Sequence, residues 1–110
     1  MVQAKSELFE QELIDKAKLF KVLSHPARLF ILQYLAESQT CITTDLSNEL
    51  PLGRTTINQH LAELKDAGLI QGEISGVNRK YCLNPTNIKQ LQMLLSEYVN
   101  YLNQQNIECK

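Results

Sequence analysis

Apolar residues recur at helical spacing through the first third of the chain. Residues 6–23 form one such segment, and Pro26, a residue suited to the first turn of a helix, opens a second that runs to about Glu37. The predicted inward-facing residues are Phe9, Leu13, Ala17 and Phe20 in the first helix and Leu29, Leu32 and Leu35 in the second. The apolar pair Cys41-Ile42 that follows indicates a small strand.

Two shorter helices are predicted next. Thr43 or Thr44 can cap the first, DLSNEL, which Pro51 closes. Gly53 opens the second, and Gly68, which readily adopts a left-handed C-cap, ends it. The short connection between the two helices predicts a helix-turn-helix.

The last third of the chain predicts a hairpin and a long helix. Residues 69–74 and 79–83 flank the turn-rich sequence SGVN, a pattern typical of two short paired strands. In residues 85–105, apolar side chains alternate spacings of three and four, which is typical of a coiled-coil-like seam. The seam consists of Ile88, Leu91, Leu95, Tyr98 and Leu102.

These elements predict a mainly α fold with a small β-hairpin wing: a winged helix-turn-helix with N- and C-terminal dimerisation helices. The length of 110 residues suits one domain with one core. The predicted organisation is a single domain over 1–110, with the helix-turn-helix at 43–68, the wing at 69–83 and the terminal helices at 6–23 and 85–105.

The helix after Gly53 has an unusual outer face, which begins with short, uncharged hydrogen-bonding groups instead of Lys and Glu. Gln and Asn side chains can pair with adenine, and the Thr methyl group can contact the thymine methyl. The N-terminal residues of a recognition helix usually make such contacts. Either this face reads bases in the major groove, or its residues are simply solvated. The candidate DNA-binding residues of the helix are Arg54, Thr55, Thr56, Asn58, Gln59 and His60.

The predicted hairpin favours the DNA-binding interpretation. Arg79 and Lys80 lie just after its tip, where a wing would contact the phosphate backbone or the minor groove. The net charge of −1 means that binding depends on this local basic patch. His60 lies at the edge of the outer face, so it contacts phosphate or packs beside Leu64, and His25 is expected near a helix cap. No catalytic constellation is predicted, and we do not expect an enzyme.

The apolar seam of the last helix needs a partner surface. Leu94 and Tyr101 widen it, and together with the stripe of the first helix it predicts that the two terminal helices meet their copies in a homodimer. A two-fold dimer would present two recognition helices about 34 Å apart and prefer an inverted repeat. The alternative is a last helix that folds back over a monomeric core. The predicted interface residues are Phe9, Leu13, Ile88, Leu91, Leu95, Tyr98 and Leu102.

Composition narrows the class of protein. Hydrophobic residues make up 44% and charged residues 21% of the chain, as in ordinary globular proteins. No uninterrupted apolar run reaches about 18 residues, and the polar, acidic N-terminus lacks a signal-peptide core, so we expect a cytoplasmic protein without a membrane segment. The cysteines, Cys41, Cys82 and Cys109, are odd in number and lack CxxC spacing. We therefore expect free thiols, with no disulfide framework, metal site or cofactor.

Two motifs of this chain resemble those of the ArsR (ArsR/SmtB) family of bacterial winged-helix repressors. FKVLSHPARLFILQYL, residues 20–35, is close to the family pattern ALADPTRLRIL, and TTINQHLAELKDAGLI, residues 55–70, is close to STVSQHLKxLREAGLV. The predicted wing, GEISGVNRKYCLNP, also has the family's shape. The resemblance implies a homodimeric regulator that binds double-stranded operator DNA and, in many members, releases it when an inducer binds.

The family's metal-sensing residues do not carry over. Where arsenic and cadmium sensors show ELCVCDL, this chain has TCITTDL, so the two thiolate positions fall on Ile42 and Thr44, and Cys41 is displaced by one residue. The predicted last helix contains no histidine, so the zinc-sensing pattern is absent as well. The resemblance therefore implies neither of the family's metal sites.

The cysteines leave two interpretations open. In a winged helix the strand before the third helix pairs with the outer strand of the wing, which would make Cys41 and Cys82 neighbours. They are either a thiol sensor for a metalloid or an oxidant, with Cys109 as a third member, or small buried apolar residues.

Two alternatives to an induced repressor also remain open. One is a winged-helix protein-interaction module, which the net charge and the acidic residues Glu63 and Asp66 favour, and the other is a regulator without an inducer of its own.

Overall fold

A computed structural model describes residues 8–74, 76–106 and 108–109 of the chain. Its elements are helix α1 (Gln11–Val22), helix α2 (Pro26–Ser38), a 3-10 helix (Leu46–Asn48), helix α3 (Arg54–Asp66), strand β1 (Ile70–Glu73), strand β2 (Lys80–Leu83) and helix α4 (Pro85–Asn103). The predicted winged helix-turn-helix, mainly α with a small hairpin, is confirmed. Among the described residues, no helix is long and apolar enough to cross a membrane.

Helix α1 is shorter than predicted. It begins at Gln11, and the predicted start at Ser6 lies outside the described residues. Glu10, the preceding residue, is extended, and its side chain caps no backbone amide. Phe9 is 60% exposed. Because packing of the apolar face supplies most of the stability of a helix, an exposed Phe9 does little to extend this one, and its place in the helical stripe was predicted wrongly.

Helix α2 starts as predicted but buries a different face. His25 precedes Pro26 as the N-cap, and its Nδ1 accepts a hydrogen bond from the N–H of Ala27 at 3.0 Å. The buried residues are Ala27, Ile31 and Leu35. The predicted burial of Leu29 is wrong, since 45% of this residue is exposed. Most residues in this segment are apolar, so periodicity alone does not identify the side that meets α3.

The first helix of the helix-turn-helix is a single 3-10 turn, shorter than the predicted DLSNEL helix. Its cap is Asp45, not Thr43 or Thr44: Oδ1 of Asp45 accepts a hydrogen bond from the N–H of Ser47 at 2.9 Å. Proline disfavours helical geometry in the residue before it, so Pro51 prevents the turn from extending.

Helix α3 follows its predicted boundaries, with Gly53 as N-cap and Gly68, at φ +79°, just beyond its end. The strands β1 and β2 are antiparallel and shorter than predicted, with Gly72 opposite Tyr81. A Cβ on Gly72 would clash with the carbonyl oxygen of Lys80, so the close approach of the strands requires glycine there. The predicted Cys41-Ile42 strand is a single bridge between Ile42 and Tyr81.

The core lies between α2, the 3-10 helix, α3 and the hairpin. Its largest fully buried side chains are Ile31, Leu46, Ile57, Leu61, Leu64, Leu69, Ile70 and Tyr81. By contrast, neither α1 nor α4 contains a buried residue. These two helices contact each other through the rings of Phe20 and Tyr98, whose centroids are 6.0 Å apart, and Lys16 Nζ lies 5.3 Å from the Tyr98 ring centroid.

Candidate nucleic-acid interface

The N-terminal half of α3 has the polar outer face that the sequence predicts. Arg54, Thr55, Thr56 and Gln59 are exposed, and Asn58 is half-buried. The opposite side of the helix anchors it, because Ile57, Leu61 and Leu64 are buried in the core. Thr55, Thr56 and Gln59 are therefore held on a fixed surface and exposed to an external partner.

His60 does not belong to that outer face. It is 8% exposed, and its Nδ1 accepts a hydrogen bond from Nε of Arg28 on α2 at 3.1 Å. Its ring also lies against that of His25, with the centroids 4.2 Å apart. Burial, followed by the proximity of His25 and Arg28, lowers the pKa of His60 below its ordinary value of 6.5. Of the two roles predicted from the sequence, the geometry favours packing over a phosphate contact.

Asp45 connects the helix-turn-helix to the wing. Its Oδ2 lies 2.7 Å from Nε of Arg54 at the start of α3 and 3.7 Å from a guanidinium nitrogen of Arg79 beside β2. Hydrogen bonds from Ser47, assisted by the charge of Arg54, lower the pKa of Asp45 below its usual 3.8. The carboxylate therefore stays ionised and partly neutralises two of the three cations predicted to contact DNA.

The two basic residues of the wing have different surroundings. The side chain of Arg79 is 25% exposed and shares Asp45 with Arg54, whereas Lys80 is exposed. The tip between the strands carries Val77, which is almost fully exposed. One residue of the predicted SGVN tip, Ser75, lies outside the described residues.

Asp45 and Arg28 are the residues of this region whose roles the sequence analysis missed. A signal existed for Asp45, because Asp followed by a short helical segment is a strong capping pattern. No local signal indicates that Arg28 contacts His60, since they lie 32 positions apart in the sequence.

The structure joins two of the three cysteines. Cys41 and Cys82 form a disulfide, which corrects the prediction that both are free thiols, and both are half-buried. Cys109, near the C-terminus, is free and exposed. Within the described ranges, no group of three or more His, Cys, Asp or Glu residues is placed to hold a metal ion.

The predicted dimer residues fall into two groups. Ile88, Leu91, Leu95 and Tyr98 are half-buried, and Ile88 and Leu91 already pack against the core of their own chain. Phe9, Leu13 and Leu102 are exposed. The seam of α4 is thus used in part within the chain.

Comparison with known proteins agrees with this architecture. The family model described as bacterial regulatory protein, arsR family, matches residues 25–71. An uncharacterised HTH-type transcriptional regulator of Methanocaldococcus jannaschii, MJ1325, is 32% identical over 81 residues, which are 74% of this chain and 91% of that protein. The HTH-type transcriptional repressor SmtB of Mycobacterium tuberculosis is 39% identical over 67 residues, 60% of this chain and 49% of that protein. The crystal structure of Rv0081 from the same organism has a TM-score of 0.62 and 28% identity, covering 86% of this chain and 94% of that chain.

Proposed function

Because this chain belongs to the arsR family of bacterial regulatory proteins and is a DNA-binding transcriptional regulator, we propose that it acts in the cytoplasm as a homodimeric repressor of an inverted-repeat operator. The observation that carries the proposal is the exposed, uncharged face of α3, with Thr55, Thr56 and Gln59 on the helix whose first residue, Arg54, shares the Asp45 carboxylate with Arg79 of the wing. Amide and methyl groups recognise base edges, while Lys and Arg bind phosphates.

Its role is regulatory and not catalytic. Both histidines have structural partners: Nδ1 of His25 caps α2, and Nδ1 of His60 is occupied by Arg28. Nδ1 of each ring is therefore engaged within the fold and is not free to act as a base next to a nucleophile. This supports a function carried by binding surfaces alone.

The state of the terminal helices supports a dimer. Neither α1 nor α4 has a buried residue in the single chain, although helices in folded proteins depend on apolar burial for their stability. Both helices expose large apolar side chains, namely Leu13, Phe20, Met93, Val99, Tyr101 and Leu102. A second copy packed against this surface would bury them and pair two recognition helices about 34 Å apart.

The experiment for the DNA-binding function is a selection of random duplex DNA on the protein at moderate salt, followed by sequencing. We expect an enriched inverted repeat with half-sites about one helical turn apart. No enrichment by a folded, dimeric protein would contradict the proposal. It would favour the second candidate, a protein-interaction module, which the net charge of −1 and the pairing of Arg54 and Arg79 with Asp45 support.

The dimer has a separate test by analytical ultracentrifugation. The variants Leu13→Glu and Leu102→Glu each place a charge within the proposed interface. Both should sediment as monomers, because the dimer would bury that charge. Val77→Glu is the matched control, because Val77 is 99% exposed at the wing tip, outside the two terminal helices. Unchanged sedimentation of both interface variants would exclude this surface as the dimer interface.

A further inference from the structure

The pairing of Cys41 with Cys82 follows from the register of one backbone bridge. The N–H of Ile42 donates to the carbonyl of Tyr81 at 2.8 Å, and the N–H of Tyr81 donates back at 3.1 Å. In an antiparallel pair, the positions next to such a hydrogen-bonded pair face each other without hydrogen bonds, with Cα atoms about 4.5 Å apart. Cys41 and Cys82 occupy these positions, and their Cα atoms are 4.3 Å apart.

The disulfide is open to small molecules. Both cysteines line a surface cavity of about 360 Å³, together with Gln39, Thr40 and Gln71. Nε2 of Gln71 lies 4.0 Å from Sγ of Cys82. A thiolate or a small disulfide can therefore approach the pair from solvent, and exposed disulfides are the ones that exchange most readily.

The same two segments hold the cations of the DNA-binding face. Asp45, four positions after Cys41, contacts both Arg54 and Arg79, and Arg79 lies three positions before Cys82. Residues 41–45 are thus joined to residues 79–82 by the disulfide, the Ile42–Tyr81 bridge and the Asp45–Arg79 ion pair. A change at the cysteines acts directly on the connection between the wing and the helix-turn-helix.

We propose that Cys41 and Cys82 form a reversible dithiol–disulfide site that reacts with low-molecular-weight disulfides and sets the affinity of the protein for DNA. One cysteine thiolate attacks a sulfur of the small disulfide RSSR and releases one RS⁻. The second cysteine thiolate then attacks the protein sulfur of this mixed disulfide and releases the second RS⁻. Two protein thiols are oxidised and one RSSR is reduced to two RSH. In a cytoplasmic protein, a disulfide of this kind is a transient or sensing one.

The effect on DNA rests on the proposed repressor function. In the oxidised form the wing is covalently fixed to the segment that leads into the helix-turn-helix. Reduction removes this covalent link and leaves the two Ile42–Tyr81 backbone hydrogen bonds, the Asp45–Arg79 ion pair and the burial of Ile42 and Tyr81 in the core. A preorganised surface loses less conformational freedom on binding, so the oxidised form binds operator DNA several-fold more tightly than the reduced form.

The test uses the full chain with the substitution Cys109→Ser, which removes the exposed free thiol. The protein is equilibrated in mixtures of reduced and oxidised glutathione, and free thiols are alkylated and counted by mass spectrometry. The affinity of each sample for DNA from the selection is then measured. We expect both thiols to disappear together and affinity to rise as they do. The triple variant Cys41→Ser/Cys82→Ser/Cys109→Ser controls for effects of glutathione itself and should keep one affinity throughout.

Two results would overturn the proposal. One is a cysteine pair that does not change its redox state: both thiols remain reduced, and are alkylated, in excess oxidised glutathione, or the disulfide persists in excess reduced glutathione. The other is equal DNA affinity of the two forms. Because both forms are the same Cys109→Ser polypeptide, a difference in folding between variants cannot account for either result. Thiols that cycle in a protein binding no DNA in either state would support the redox site and contradict the repressor function, so the two failures are distinguishable.

Discussion

Arg28 on α2 contacts His60 on α3 and, through a second hydrogen bond, the end of α1. Nε of Arg28 on α2 donates to Nδ1 of His60 on α3 at 3.1 Å, and its guanidinium also donates to the carbonyl of Val22 at the end of α1, at 3.2 Å. His60 is a buried polar side chain on the helix that presents the DNA-binding face. The orientation of this helix therefore depends partly on one arginine whose side chain does not belong to that face.

Removal of this arginine should destabilise the fold. In Arg28→Ala, Nδ1 of His60 remains buried without its donor, and we expect the free energy of unfolding to fall by about 1–3 kcal/mol. Urea unfolding measures the change. Lys65→Ala is the matched control, because Lys65 is exposed on α3 and makes no ion pair among the described residues. Equal unfolding midpoints for the two variants would contradict the structural role of Arg28.

Stability should depend on pH through His60. Its folded pKa lies below 6.5, whereas in the unfolded chain it returns to about that value. Between these two pKa values the unfolded state binds more protons, so stability rises with pH in this window. The contribution of neutral His60 to the free energy of unfolding is complete above pH 6.5. It is lost as the pH falls from 6.5 through the folded pKa.

The comparison for this pH effect is His60→Gln, which keeps an oxygen that can accept from Arg28 but does not titrate. Urea unfolding at a series of pH values should show a weaker loss of stability on acidification in the variant than in the natural protein. Parallel curves for the two proteins would show that His60 does not titrate differently on folding.

The charge of Asp45 can be separated from its capping role. Asp45→Asn keeps an oxygen for the N–H of Ser47 but releases Arg54 and Arg79 from the carboxylate. We expect tighter binding to all duplex DNA and a log–log salt slope steeper by about one to two, since each freed cation can replace a counterion. Fluorescence anisotropy across a salt series measures both quantities.

Asp45→Ala provides the control, because it removes the cap and the charge together. It should lower the urea midpoint, whereas Asp45→Asn should leave it near that of the natural protein. Weaker DNA binding by Asp45→Asn would mean that the carboxylate mainly positions the two arginines instead of competing with phosphate.

Base reading and phosphate contact should separate in a pair of variants. Gln59→Ala should weaken binding to the selected operator by about 1–3 kcal/mol and relax the preference at one base position. Arg79→Ala should weaken binding to all sequences alike and reduce the salt slope by about one. Competition assays with operator and non-specific duplexes distinguish the two patterns. Unchanged affinity and preference in Gln59→Ala would place the reading face elsewhere.

Local patterns in the sequence were sufficient for the order and type of most elements of this fold. The helix after Gly53, the cap at His25, the start at Pro26 and the left-handed residue Gly68 all depend on neighbours within about one helical turn. The outward position of Thr55 follows in the same way, from the period of the helix. These features could be predicted because the interactions that stabilise them are contained in the segment itself.

The tertiary structure decided the contacts between distant segments. The burial of His60 depends on how α2 crosses α3, and the choice of Ile31 over Leu29 depends on the same crossing. The Cys41–Cys82 disulfide depends on one backbone bridge between segments 41 positions apart. The contact of Asp45 with both Arg54 and Arg79 depends on the position of the wing. The side chains that meet across such interfaces are selected by the packing of whole elements, which no periodicity within a single element encodes.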